Sequence, residues 1–182
     1  MIVYVESNFI LEIVRRQSQV ESAEKILQLA ENGKIELAFP SFALCEPFWT
    51  ITWREREQER LSKLLEGMID QLPTLLANAA KKERDSLWTT VNRLIDAGIS
   101  IETNSACLRQ ALDYQKRFDF SQQDSIIYAA VIADMQHRPF AETKCFISTN
   151  YKDFKDPAII DELNSYNCRY EQSFGKGLNF IK

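Results

Sequence analysis

The sequence predicts an α/β fold in which a parallel sheet carries helices on both faces. Three observations support this. Short apolar runs rich in β-branched residues recur at 2–5, 35–39, 99–101 and 145–148, with a weaker one at 168–170. Such runs suit strands buried on both faces of a sheet. Stretches with apolar residues at helical spacing separate them. Acidic and polar residues follow the runs directly, at the carboxyl ends where open α/β sheets gather ligands.

The first run, Ile2 to Val5, ends on Glu6-Ser7-Asn8, after which Phe9, Ile10, Ile13 and Val14 repeat at helical spacing. Ser7 or Asn8 is expected to cap that helix, which leaves Glu6 where a buried strand meets a helix start. A carboxylate there either complements the helix dipole or serves as a ligand or catalyst. Ser18 to Glu21 has the spacing of a capping box and opens an amphipathic helix that runs through Leu29 and stops at Gly33. After the second run comes Ser41-Phe-Ala-Leu-Cys-Glu46-Pro47. Pro47 has no N–H and disfavours helical geometry at the residue before it, so Glu46 is expected at an irregular turn; the alternative is a plain acid at a helix N-terminus.

From Phe48 to about Gly98 the pattern is helical, with Pro73 breaking it. Trp53-Arg54-Glu-Arg56-Glu-Gln-Glu-Arg60 reads as a solvated helix face with i,i+4 ion pairs; the alternative is that Arg54, Arg56 and Arg60 contact phosphates. Lys81, Lys82 and Arg84 form a second basic cluster. A helix is expected from Ser105 to Phe118 with Ala106, Leu108, Ala111 and Leu112 as its apolar face. Ser121 and Asp124 fit a capping box before a helix that is apolar almost all round and must therefore be buried. The fourth run leads into Thr149-Asn150-Tyr-Lys-Asp153-Phe154, and Asp156-Pro157 starts a short helix. Four strand ends would thus deliver Glu6, Glu46, Asp124 and Asp153 to one side of the sheet.

Composition narrows the function. The 182 residues, 45% apolar and 26% charged, suit one soluble domain over 1–182 with a helical extension at about 48–98. No run is long enough to span a bilayer, and the first residues lack a signal peptide's pattern, so a cytoplasmic protein with no membrane partner is expected. Cys45, Cys107, Cys145 and Cys168 lie far apart, which suits reduced thiols rather than a zinc site or disulfides. A single histidine, His137, argues against chemistry that needs two. A net charge of −4 gives no global attraction to nucleic acid, so a polyanion would need a local basic patch.

Taken together, four stretches resemble the PIN-domain nucleases, the VapC-like ribonucleases among them, along nearly the whole chain. They are Val-Tyr-Val-Glu6-Ser-Asn8, Pro40-Ser41 with Glu46, Gln123-Asp124-Ser-Ile-Ile-Tyr-Ala-Ala, and Phe146-Ile-Ser-Thr149-Asn150-Tyr-Lys-Asp153-Phe154. The resemblance implies a three-layer α/β/α sandwich with the first strand near the centre of the sheet. It also implies metal-dependent hydrolysis of RNA, with Glu6, Glu46, Asp124 and Asp153 as ligands of Mg²⁺ or Mn²⁺. Asn8, Thr149 and Asn150 would then support water or the scissile phosphate. Many small members are toxins, so a small antitoxin protein and a homodimer are the expected partners besides RNA. The chain departs from the family in carrying Glu6 for the usual Asp, Asn150 where many members have an acid, and a longer helical stretch. A degenerate PIN domain that binds RNA or protein without cleaving is the alternative. A nucleotide-binding or receiver protein has no support, because no phosphate-loop motif is present.

Overall fold

Ile2–Val5 forms β1, which is buried along its whole length. The computed structural model describes residues 1–65 and 71–182. After β1 come α1 (Ser7–Val14), α2 (Val20–Glu31), β2 (Glu36–Pro40), a 3-10 turn (Ser41–Leu44) and α3 (Cys45–Leu64). Then follow α4 (Leu72–Ala97), β3 (Gly98–Ile101), α5 (Ser105–Phe118), α6 (Gln122–Gln136) and β4 (Lys144–Ile147). The chain continues through α7 (Tyr151–Phe154), α8 (Pro157–Ser165), β5 (Cys168–Glu171) and α9 (Phe174–Ile181).

The five strands form one parallel sheet in the order β3-β2-β1-β4-β5, with β1 at its centre. Side chains alternate across a strand, so β1 feeds both faces. Val3 and Val5 join a cluster with Phe9 and Ile13 of α1, Ile26 and Leu27 of α2, Val91 and Leu94 of α4, and Phe174 of α9. Ile2 and Tyr4 join the opposite cluster, with Ala111 and Tyr114 of α5, Tyr128 and Ile132 of α6, and Ile159 of α8. The result is the three-layer α/β/α sandwich, with β1 and β4 buried along their whole length and the edge strands β3 and β5 partly exposed.

Local details depart from the sequence expectations in informative ways. α2 is entered from Gln19 with no side-chain cap, so Ser18 to Glu21 forms no capping box. The buried carboxylate of Glu12 accepts the Gln19 N–H instead, and a tertiary contact replaces the local one. The apolar face of α5 is Cys107, Ala111 and Tyr114, whereas Leu108 and Leu112 point to solvent. That face follows the 3.6-residue repeat from Cys107, a small residue that the more hydrophobic leucines obscure. The helical stretch at 48–98 consists of α3 and α4 on either side of 66–70, which lie outside the described residues. α3 ends at Leu64 and α4 begins at Leu72, so the break expected at Pro73 falls just before it; Pro73 itself sits in the first turn of α4, where its missing N–H has no intrahelical acceptor to lose.

α4 passes into β3 with no intervening loop, and Gly98 makes that junction possible. A Cβ there would lie 2.6 Å from the Leu94 carbonyl oxygen and 3.0 Å from that of Leu37. Both neighbours are backbone and cannot give way easily.

Candidate active site at the carboxyl ends of the first and fourth strands

Because β1 is central, the chain leaves it toward β2 on one side and later returns to pair β4 on the other. Strand order reverses between β1 and β4, and crevices at such switch points are where open α/β sheets bind ligands. Glu6 leaves β1 at this crevice. It is itself the N-cap of α1, in place of Ser7 or Asn8, with its Oε2 accepting the Asn8 N–H at 3.2 Å. Its Oε1 accepts the Asn8 side-chain amide at 2.9 Å and the Ser148 hydroxyl at 3.0 Å.

Glu6 is only 4% exposed. Burial moves its pKa from an ordinary 4.5 up to about 7; the three donors oppose the rise and the nearby charge of Asp124 adds to it. Asp124, in the first turn of α6, is likewise pushed up, first by burial and then by the charge of Asp153. Ser121 caps α6 by accepting the Asp124 N–H at 3.0 Å, and its hydroxyl donates back to the Asp124 carboxylate. The Asn150 amide donates to Asp124 Oδ1 at 3.2 Å and also to Asp153, which lies in α7. Asn150 therefore stands between two carboxylates, and its own N–H donates to Ser148 Oγ at 3.1 Å. A chain of hydrogen bonds runs from Glu6 through Ser148 and Asn150 to Asp124 and Asp153.

Glu46 stands apart from this chain. α3 begins at Cys45, so Glu46 lies in a regular first turn and not at an irregular one. Pro47 is tolerated there because first-turn N–H groups lack intrahelical acceptors. The Gln123 amide donates to Glu46 at 2.5 Å and approaches Ser7 Oγ at 3.4 Å, and so links α3 to α6 and α1. Arg54 is engaged with α4: its guanidinium donates to both oxygens of Glu83 at 3.0 Å and ties α3 to α4. Arg84 pairs with Glu55 in the same way, so these charges bridge two helices instead of forming i,i+4 pairs along one. Arg56 makes no ion pair among the described residues and lies beside Trp49 and Trp53.

Three participants were not legible in the sequence. Ser148, the residue before Thr149, holds Glu6, whereas Thr149 makes no side-chain hydrogen bond among the described residues. Gln123 positions Glu46 from the residue preceding Asp124. Tyr170 of β5 donates to the Ser148 carbonyl at 3.2 Å, and its phenol pKa is raised by burial first and then by the charges of Glu6 and Asp153. Ser148 carried one usable signal, as the first polar residue after an apolar strand. Cleft volume does not point to the four acids: clefts of about 690 Å³ near α2 and α4 and about 670 Å³ between α3 and α4 contain none of them.

Among the described residues, no three acidic, histidine or cysteine side chains stand close enough together to hold one ion as arranged. The amides of Asn150 and Gln123 take up carboxylate oxygens instead. The donor set nevertheless fits a hard cation: it consists of carboxylate, hydroxyl and amide oxygens with no thiolate or imidazole. No described Lys or Arg pairs with Glu6, Glu46, Asp124 or Asp153, whereas Glu24, Glu83, Asp134 and Glu171 each have such a partner. Like charges held together without a cation raise pKa values, and beyond the larger effect of burial Asp124 does so for Glu6 and Asp153 for Asp124.

No family model matches the sequence, and no curated protein does. Among solved structures the chain is similar to one in the crystal structure of VapBC2 from Rickettsia felis bound to a DNA fragment from their promoter. The superposition has a TM-score of 0.53 at 15% identity and covers 94% of this chain and 98% of that one. The likeness is one of fold. Among the described residues no helix is long and apolar enough to cross a membrane.

Proposed function

We propose that this chain is a PIN-type ribonuclease that hydrolyses RNA phosphodiester bonds in the crevice beyond β1 and β4, with Mg²⁺ or Mn²⁺. The supporting observation is Glu6, a buried carboxylate at the switch point beside Asp124, with no Lys or Arg among the described residues to neutralise either. A cation fits that arrangement better than any protein group present. Glu6, Glu46, Asp124 and Asp153 would hold it. Such an ion lowers the pKa of an attacking water and neutralises charge on the phosphate.

The chain's own residues have separable roles. Asn8 and Ser148 fix the orientation of the Glu6 carboxylate and favour its charged form. The Asn150 amide, now between two acids, is placed to orient a phosphate oxygen or a water once those acids turn to a cation. Gln123 holds Glu46 and would release it in the same rearrangement. Ser121 keeps Asp124 at the first turn of α6, near the positive end of the helix dipole.

The fold shared with the VapBC2 structure supports extending the reading to a toxin paired with a small antitoxin, assembled as a homodimer. A second reading, a PIN domain that binds RNA or protein without cleaving, is favoured by one observation: no three acids converge as arranged. Incubating wild type and Glu6→Gln with single-stranded RNA in Mg²⁺, in Mn²⁺ and in EDTA separates the two. Metal-dependent cleavage that Glu6→Gln loses by at least a hundredfold supports the nuclease. RNA binding with no cleavage in either metal establishes the non-cleaving reading.

A further inference from the structure

All three tryptophans of the chain lie on α3 and α4 and are more than half exposed: Trp49 at 69%, Trp53 at 53% and Trp88 at 54%. Trp88 has a structural partner, since Phe48 meets it edge-on with centroids 5.0 Å apart. Trp49 and Trp53 have none among the described aromatic pairs. An exposed pair of tryptophans normally marks a surface that binds something.

The helical repeat places the pair with respect to the site. Glu46, Trp49, Trp53, Arg56 and Arg60 are separated by three, four, three and four residues, so they form one stripe along α3. The opposite side of the helix carries the buried Ile51, with Arg54 and Glu55 engaged to α4. The stripe therefore starts at a candidate site carboxylate and rises along the outer face for about 20 Å. Phe48, Trp49, Thr52, Trp53 and Arg56 line a cleft of about 270 Å³ on it.

Charge also distinguishes this surface. On α3, Glu55 pairs with Arg84 and Glu57 with Arg60, Glu59 lines the cleft between α3 and α4, and Arg56 has no ion pair among the described residues. In a chain of net charge −4, an uncompensated cation next to two exposed indoles is a local site for a polyanion with flat, apolar groups. A single nucleic-acid strand has that chemistry: its bases stack on aromatic faces while cations follow its phosphates.

We propose that α3 is a stacking track for single-stranded RNA, on which bases lie against Trp49 and Trp53 and Arg56 neutralises a phosphate, leading the strand to Glu46 and the crevice. The proposal rests on the reading of that crevice as an RNA-cleaving site, but its test reads binding in EDTA, where nothing is cut. A fluorescently labelled single-stranded RNA and a duplex of the same length are titrated against wild type, Trp49→Ala, Trp53→Ala, Trp53→Phe and Arg56→Ala. Thermal melts confirm that each variant folds.

Each alanine variant at a tryptophan is expected to weaken single-strand binding by about five- to a hundredfold, the range for loss of one stacked base. Trp53→Phe should recover most of the loss, duplex RNA should bind weakly to every protein, and Arg56→Ala should flatten the salt dependence. Unchanged affinity in both alanine variants overturns the track, as does a wild type that binds no RNA. Unchanged affinity together with loss of a dimer in sedimentation assigns the stripe to contact between copies of the chain instead. If the track binds RNA as expected and no metal supports cleavage, the nuclease reading fails and the track stands.

Discussion

At the scale of single residues, Glu6 reverses the usual pH behaviour of a carboxylate. Its pKa is raised in the folded protein, from 4.5 to about 7, so the folded state holds a proton that the unfolded state has already released. Stability from this group is complete below pH 4.5 and is lost as pH rises through 7, by on the order of 3 kcal/mol. Asp124 is shifted in the same direction and adds to the slope. The metal-free protein is therefore expected to melt at progressively lower temperature between pH 5 and pH 8. Glu6→Gln, which stays neutral, should show a flatter profile and a higher melting temperature at pH 8; a wild-type profile that is flat or rising over this interval contradicts the burial argument. Ser148 gives a second check, because its hydroxyl stabilises the charged form of Glu6. Ser148→Ala should move the loss of stability to still higher pH. The position of Glu6 was legible in the sequence, since an acid that ends an apolar strand is conspicuous. Gln123 and Tyr170 were not, and Ser148 only as the first polar residue after an apolar strand: their pairings join distant segments, and no spacing along the chain records those.

At the scale of elements, the strands and helices were largely legible and their caps were not. Strand runs and helical repeats are set by burial, which leaves a periodic trace in the sequence. Caps depend on which acceptor the folded chain places nearest the first N–H groups. Glu12 displaces the expected box before α2, and Glu6 displaces Ser7 and Asn8 before α1. Charges on α3 are partly legible: Glu57 and Arg60 pair along the helix, whereas Arg54 and Arg84 cross between the facing helices, whose alignment a single sequence does not reveal. Arg54→Ala should cost about 0.5–1 kcal/mol, the scale of a partly exposed ion pair, and leave RNA affinity unchanged. A marked loss of RNA binding in that variant would place Arg54 at the crevice after all. Gly98→Ala should cost more, about 2 kcal/mol or above, because its methyl would meet two backbone carbonyl oxygens at the α4–β3 junction. Urea melts measure both, and a Gly98→Ala protein as stable as wild type would mean that the junction relaxes freely.

At the scale of the whole molecule, the five-stranded order places β1 at the centre and the reversal of strand order beside Glu6, so architecture and chemistry meet at one crevice. If the reading as a toxin is right, expressing wild type in a bacterium should arrest growth within a few generations, and Glu6→Gln should not. Equal growth with both removes the toxin role and leaves the fold and the crevice untouched.

The most direct test of the crevice as a cation site is the melting temperature at pH 8 with and without Mn²⁺. A cation that binds the folded chain stabilises it by about 2.7 kcal/mol at a hundred times its dissociation constant. Wild type is expected to gain several degrees. Asp124→Asn, which keeps a cap oxygen and loses the charge, should lose most of that gain while its metal-free melt stays level or rises. A mutant that keeps the full gain, or a wild type that gains nothing, contradicts the account.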